Sequence, residues 1–242
     1  MKIIVFGSVK GGVGKTCGVI FTAQALAARG ARVIVIDGDP QASSTDYFLR
    51  ARADDDIAAH SLYHALMRRR DLTDCLMPTG VSGVLIVPST PDLARADLET
   101  VNDRGLVNRF QKAVQGLDAD VILMDTPPSI SGLELTLAIY AAAIVVVPVQ
   151  LARWTAVAFR VVSDMIADAS QVIGKAPALF ALPAIVTERE AQILRKVPDW
   201  TPTRTAIFRN SAVRNATNTA NALREGSVAW TCYANLAEEL TA

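Results

Sequence analysis

The stretch Val9-Lys10-Gly11-Gly12-Val13-Gly14-Lys15-Thr16 decides how the rest of the chain is read. An apolar run, Ile3-Ile4-Val5-Phe6, precedes it and reads as a buried strand. Gly18 to Arg29 follows and reads as a helix that stops at Gly30. Strand, glycine-rich turn, then a helix opening on Lys-Thr is the order of a phosphate-binding loop. Glycines let the backbone close around an anion with its N–H groups pointing inward, and the helix N-terminus adds partial positive charge. Lys15 is expected to reach the β- and γ-phosphates, and the Thr16 hydroxyl to sit on Mg²⁺. One position departs from the usual pattern. Gly-x-x-x-x-Gly-Lys-Thr asks for glycine at position 9, which is Val9, while a second lysine, Lys10, stands five residues before Lys15.

Outward from that loop, short apolar runs alternate with helical stretches. The strands expected are Ile3–Phe6, Val33–Ile36, Val84–Val87, Val121–Met124, Ile144–Val149 and Leu179–Ile185. The intervals hold crossover helices, so the fold expected is α/β: a single-domain P-loop NTPase over residues 1–242, its mainly parallel central sheet flanked by helices on both faces. No internal repeat or Pro/Gly/Ser linker divides the chain. The region Ala51–Val81, with Asp54-Asp55-Asp56 and Arg68-Arg69-Arg70, reads as a solvated helix and loop.

Composition removes several classes. Three cysteines with no C-x-x-C pair give no support to disulfides, zinc or iron–sulfur ligation, and a reduced, cytoplasmic setting fits. No signal peptide precedes the first strand. The most apolar stretch, Leu135–Val149, is broken by Thr136 and Pro148 and is short for a bilayer; it reads as a buried helix running into a core strand. The 24 basic and 24 acidic residues cancel, which argues against a uniformly basic nucleic-acid binder. Yet Arg189–Arg224 holds seven basic residues against two acidic, a net +5. That stretch is either an electrostatic footprint or a set of solvated arginines.

Acidic residues stand at two strand ends. Asp37-Gly38-Asp39-Pro40-Gln41 follows Val33–Ile36, and Asp125-Thr126-Pro127-Pro128 follows Val121–Met124. Ligands of open α/β sheets bind at the carboxyl ends of strands, so one nucleotide can meet the loop and both acidic clusters. Mg²⁺ takes oxygen ligands and keeps several waters. Thr16 is then a direct ligand, with Asp37 and Asp125 holding ordered waters, and Asp39 is free to orient an attacking water. Asp39 equally suits the cap of a turn starting at Pro40.

Together these motifs resemble the ParA/MinD family of deviant-Walker ATPases, in particular its ParA-type partition branch. The resemblance rests on Lys10-Gly11-Gly12-Val13-Gly14-Lys15-Thr16, Ile36–Gln41 and Met124–Pro128, with Val87–Leu93 and Val146–Gln150 in support. It implies ATP and Mg²⁺ as cofactors, and nucleotide contacts from Lys10, Gly11, Gly12, Val13, Gly14, Lys15, Thr16 and Cys17. It also implies a homodimer when ATP is bound, Lys10 reaching the partner's ATP, and slow hydrolysis stimulated by a partner or cargo-adaptor protein. Without the resemblance, Lys10 equally suits a surface position. In the partition branch the ATP dimer binds non-specific DNA and rides the nucleoid; Ile207–Arg214 resembles the relevant stretch. The DNA-contacting candidates are Arg189, Arg195, Lys196, Arg209 and Arg214. Phe208 stands where relatives commonly have proline. The chain ends Asn235-Leu-Ala-Glu-Glu-Leu-Thr-Ala242, unlike the basic amphipathic helix of the membrane-associated branch, so no stable membrane association is expected. A metabolic ATP-dependent ligase or kinase on the same nucleotide fold is the competing reading.

Overall fold

Successive strand residues point alternately into two cores, and that alternation builds the molecule. The computed structural model describes residues 1–129 and 132–242. Along the chain run β1 (Lys2–Phe6), α1 (Lys15–Ala28), β2 (Val33–Asp37), α2 (Ser43–Leu49), α3 (Asp54–Ala59), α4 (Leu62–Leu66), β3 (Met77–Pro78) and β4 (Val84–Val87). There follow α5 (Ala96–Glu99), α6 (Leu106–Gln115), β5 (Val121–Asp125), α7 (Leu133–Ala141), β6 (Ile144–Val149) and α8 (Thr155–Ile173). The chain closes with β7 (Ala178–Val186), α9 (Glu188–Leu194), β8 (Ile207–Phe208), α10 (Ser211–Thr219) and α11 (Val228–Thr241).

The sheet order is β3-β4-β2-β5-β1-β6-β7-β8, parallel throughout except for β3 against β4. Ile3, Val5, Ile34, Ile36, Ile122 and Met124 face one core, closed by α6, α7 and α8. Ile4, Phe6, Val33, Val35 and Leu123 face the other, closed by α1 and α11. Both faces are covered, which is why these strands read as unbroken apolar runs rather than as alternating ones.

Register sets the site. Phe6 lies opposite Asp125, and Asp125 opposite Asp37, so the two acidic strand ends and the start of the glycine loop are neighbours. β1 lies between β5 and β6; β2 to β5 all lie on one side of it and β6 to β8 on the other, so the strand order reverses direction at β1 and its carboxyl end borders a crevice of the sheet.

All six expected strands are present, and two short ones, β3 and β8, join them at the sheet edges. Two-residue strands carry no periodicity, so neither was legible. The α1 helix starts at Lys15, three residues before its expected start, because the loop passes directly into it. It ends as expected: Gly30 takes φ 85°, its N–H donates to Ala27 O at 2.9 Å, and the Ala31 N–H donates to Leu26 O at 3.2 Å. That paired closure satisfies the last carbonyls and needs the left-handed residue glycine supplies. The region 51–81 corrects the solvated reading in part. Asp54 and Asp55 are exposed and Asp56 is half-buried, but Leu62, Tyr63, Leu66, Leu72 and Cys75 are buried in the α6–α8 core. Their spacing is broken by turns, which hid the apolar face.

Candidate functional site

The loop leaves β1 at Phe6 and enters α1 through Gly14, whose φ of 98° lies in the left-handed region. No side chain caps the first turn of α1. Its leading N–H groups therefore remain available to an anion. Gly12 also has positive φ, 70°, and a Cβ there would meet nothing within 4 Å. Backbone conformation, not crowding, demands glycine at that position. The Lys15 side chain is buried and folds back over the loop, its ammonium donating to Lys10 O at 3.3 Å. Burial pulls the Lys15 pKa below its ordinary value, against the opposing pull of Asp125 and Asp39. A cation held out of water between two carboxylates and an uncapped helix end suits a polyanion. Lys10 is half-buried on the loop's rim, beside exposed Gly11 and Gly12, and pairs with no carboxylate among the described residues. The Gln150 amide donates to Gly12 O at 3.4 Å and ties the end of β6 to that rim.

Asp37 and Asp125 are fully buried side by side. Asp37 Oδ2 accepts from the Thr45 N–H (2.8 Å) and Thr45 hydroxyl (2.7 Å), and its Oδ1 accepts from the Asp39 N–H at 3.1 Å. Asp125 Oδ2 accepts from the Ser44 hydroxyl at 2.8 Å. Asp125 Oδ1 is buried with no partner among the described residues. Burial raises both pKa values, and the neighbouring Asp125 charge raises that of Asp37 further. Two adjacent carboxylates, one with an orphaned oxygen and the Thr16 hydroxyl beside it, fit a hydrated cation. No three carboxylate, imidazole or thiol groups converge into a cage among the described residues. That donor set suits Mg²⁺ held largely by water and phosphate, not a softer metal.

Asp39 is buried, and its Oδ1 accepts from the Gln41 N–H at 2.9 Å. The capping geometry is therefore present, and it leaves the other carboxylate oxygen outside the turn. Sequence reasoning missed three neighbours. Ser44 and Thr45 hold the two carboxylates, and their signal was only a hydroxyl run at the start of a helix. The third is Glu134, buried at the start of α7, whose carboxyl is pushed up to about 7 by burial, then by Asp97 and Asp39.

Beside the loop lies a cavity of about 620 Å³. Gly14, Cys17 and Gly18 floor it, Ile185 and Phe208 flank it, and Val213, Arg214, Thr217 and Asn218 of α10 close it. Ile185 has φ 58°, a left-handed conformation rare for a β-branched residue, at the bulge where β7 pairs with β8. Cys17 Sγ lies 3.5 Å from the Thr217 hydroxyl. Burial raises the Cys17 pKa, so it packs as a thiol. Leu182, Ala184, Ile207 and Phe208 make its lining largely apolar, with Asn210, Thr217 and Asn218 supplying polar groups, as in many small-molecule pockets. Five separate elements line it, Tyr233 of α11 being the fifth contribution, so no local pattern announced it.

The five basic candidates do not form one patch. Arg209 and Arg214 line this cavity. Arg209 also lies 3.8 Å from Glu190. Arg195 lies 3.9 Å from Glu188, donates to Arg204 O at 2.7 Å, and lines a separate open groove with Glu238 and Glu239. Arg189, Lys196 and Arg214 are exposed and carry no ion pair among the described residues. Glu190 and the adjoining Glu188 thus lie near Arg209 and Arg195, and among the described residues only Glu239, beside Arg204, reaches the segment from far along the chain.

Fold and loop define a P-loop nucleotide-binding protein. The AAA domain family matches residues 1–176. The chain is 36% identical over 151 residues to the chromosome partitioning protein ParA of Myxococcus xanthus, covering 62% of this chain and 52% of that protein. It is 35% identical over 195 residues to the chromosome-partitioning ATPase Soj of Thermus thermophilus, covering 80% of this chain and 72% of that protein. It thus spans about half the length of the first relative and more of the second. Among solved structures, apo McdA of Cyanothece superposes with TM-score 0.87 over 100% of both chains at 18% identity, a likeness of fold. Cobyrinic acid a,c-diamide synthase of Mycobacterium smegmatis, with an ATP analogue and magnesium bound, superposes with TM-score 0.81 over 98% of this chain and 93% of that one at 25% identity. The chain belongs to the AAA domain family, among its ParA/Soj-type ATPases.

Proposed function

We propose that this chain is an ATPase that dimerises on ATP, binds DNA non-specifically in that state, and partitions or positions a cargo. The observation that carries the reading is the junction of β1, β2 and β5. There an uncapped helix end, buried Lys15 and the Asp37–Asp125 pair, with one orphaned oxygen, share one crevice. Relatives with partition functions in their names support the cellular role.

In this reading the nucleotide lies with its base in the α10-lined cavity and its phosphates over Gly11–Thr16. Lys15 and the α1 N–H groups hold the β- and γ-phosphates. Thr16, and through waters Asp37 and Asp125, would hold Mg²⁺, which would supply positive charge to the phosphates. Asp39 holds the attacking water with its outer oxygen while the Gln41 N–H fixes the inner one. Attack on the γ-phosphorus breaks its bond to the bridging oxygen and releases ADP and phosphate. Lys10, on the loop's exposed rim and free of a carboxylate partner among the described residues, crosses to the phosphates of a second copy. Hydrolysis is slow until a partner or cargo-adaptor protein stimulates it, and it separates the two subunits. Arg214 is the strongest of the DNA candidates, being exposed and unpaired among the described residues; Arg189 and Lys196 come next, and Arg195 and Arg209 are partly neutralised. No helix is long and apolar enough to cross a membrane among the described residues. The working location is the cytoplasm, on the nucleoid, with the whole chain acting as one ATPase domain.

A second reading, a metabolic ligase using the same nucleotide site, is favoured by the likeness to the diamide synthase. Sedimentation with ATP, ADP or no nucleotide, with and without non-specific DNA, separates the two. The switch predicts a monomer that becomes a dimer only with ATP and then moves with DNA, and Lys15→Ala removes both shifts. A protein that stays monomeric with ATP and hydrolyses it only with a small acceptor present overturns the switch.

A further inference from the structure

Resting on the nucleotide reading above and going beyond it, we propose that α2 is a positioning strut. It joins the paired carboxylates at its start to α10 at its end. Its first turn supplies one hydroxyl to each carboxylate: Ser44 donates to Asp125 at 2.8 Å and Thr45 to Asp37 at 2.7 Å. Both hydroxyl-bearing residues are buried. One turn later the same helix grips the far side. The Tyr47 hydroxyl donates to Asn221 O at 2.7 Å while accepting from the Gln24 amide at 2.7 Å. The Arg50 guanidinium donates to Asn218 O at 2.8 Å. The Asn218 carbonyl belongs to the last turn of α10 and the Asn221 carbonyl to the turn just past its end; α10 is the helix that closes the base cavity and carries Arg214.

Four hydrogen bonds thus connect groups from three separate parts of the chain through α2 and Arg50, the residue that follows it. α2 begins four residues after Asp39, so any movement of the carboxylates or of the Asp39 turn must rotate or translate it as a unit. A short helix is stiff along its axis. A shift at Ser44 and Thr45 therefore reaches Tyr47 and Arg50 undiminished, and through them α10. Ser44 and Tyr47 are positioning residues in this scheme: one orients Asp125 so that its free oxygen faces the cation, the other holds α10. The consequence is that loading of the magnesium–phosphate site sets the placement of α10, and with it both the base pocket and the Arg214 surface.

Hydrogen exchange on the full chain, with and without Mg²⁺ and AMPPNP, tests the strut. In the wild type, Lys10–Thr16, Ser43–Leu49 and residues 216–221 are expected to gain protection together. Tyr47→Phe keeps the ring that packs against Phe21 and Phe48 and removes only the hydroxyl. With Arg50→Ala added, the gain at 216–221 is expected to fall about tenfold while the gains at the loop and α2 persist. A full gain at 216–221 in that double variant overturns the proposal, as does a wild type in which 216–221 does not respond. No gain at Lys10–Thr16 in the wild type overturns the nucleotide reading itself, and this inference with it. For Ser44, the readout is the magnesium dependence of AMPPNP affinity. Ser44→Ala is expected to lose about tenfold in Mg²⁺ and nothing in EDTA, with Ser44→Thr restoring it. Equal losses in both conditions, or none, remove Ser44 from the scheme.

Discussion

Glu134 lies buried at the start of α7, where burial, helped by Asp97 and Asp39, moves its pKa from the ordinary 4.5 up to about 7. Between those two values the unfolded chain has released this proton and the folded chain still holds it, so the unfolded state gains as pH rises. The contribution of Glu134 to stability is fully present below about 4.5 and is lost as pH climbs through about 7. Asp37 and Asp125 act in the same direction, so the single-residue effect must be read as a difference. Denaturant melts of wild type and Glu134→Gln are expected to converge at low pH and separate by pH 7, the glutamine variant being the more stable there. Parallel curves across that window would place the proton elsewhere. At this scale the legibility of the site divides cleanly. Gly12, Gly14, Lys15 and Thr16 were readable because a phosphate loop is a local structure whose backbone demands are written in consecutive residues. Glu134 was not, because one carboxyl in the apolar run Leu133–Ala141 looks the same in sequence whether it faces water or Asp39.

The α1 helix shows what an element demands of its neighbours. Most of it is buried, between the sheet on one side and α11 on the other, so it is apolar around much of its circumference. Gly18 sits at the end of the first turn of α1, and a Cβ there would meet the Phe6 ring at 2.6 Å. Close approach of α1 to β1 is what places the loop at the strand end. Gly18→Ala is therefore expected to destabilise the fold by about 1–3 kcal/mol, despite alanine's better propensity. Thermal or denaturant unfolding measures it, and a neutral or stabilised variant would mean that the Phe6 ring yields freely. The six longer strands were legible because each is a continuous apolar run. β3 and β8 were not, and neither was the buried side of 62–77, because their placement depends on what they pack against. The chain's α2 helix falls between these cases: the Ser43-Ser44-Thr45 start marks a helix opening, but nothing in the sequence says that two of its hydroxyls reach two different strands.

Across the whole molecule, nucleotide chemistry and surface charge meet at α10. Arg214 is exposed, unpaired among the described residues, and lines the base cavity. If the ATP dimer binds DNA through it, Arg214→Ala is expected to weaken retention about equally for all sequences and to reduce the salt slope of binding by ~1 for each protomer. Dimerisation on ATP should be preserved. Filter or anisotropy titrations over a salt series measure both, and an unchanged slope moves the contact to Arg189 or Lys196. Sequence alone determined the fold class, the phosphate loop, the two acidic strand ends and the order in which they follow their strands. Those features are set by neighbours within a few residues, through backbone conformation and hydrophobic periodicity. Tertiary structure decided what sequence distance hides. It brought Asp125 beside Asp37, aimed Ser44 and Thr45 at them, closed a pocket from five elements, and set Glu239 beside Arg204. Contacts of that kind depend on which strand lies next to which. That order follows from burying both faces of one sheet at once, a condition no single stretch of the chain can express.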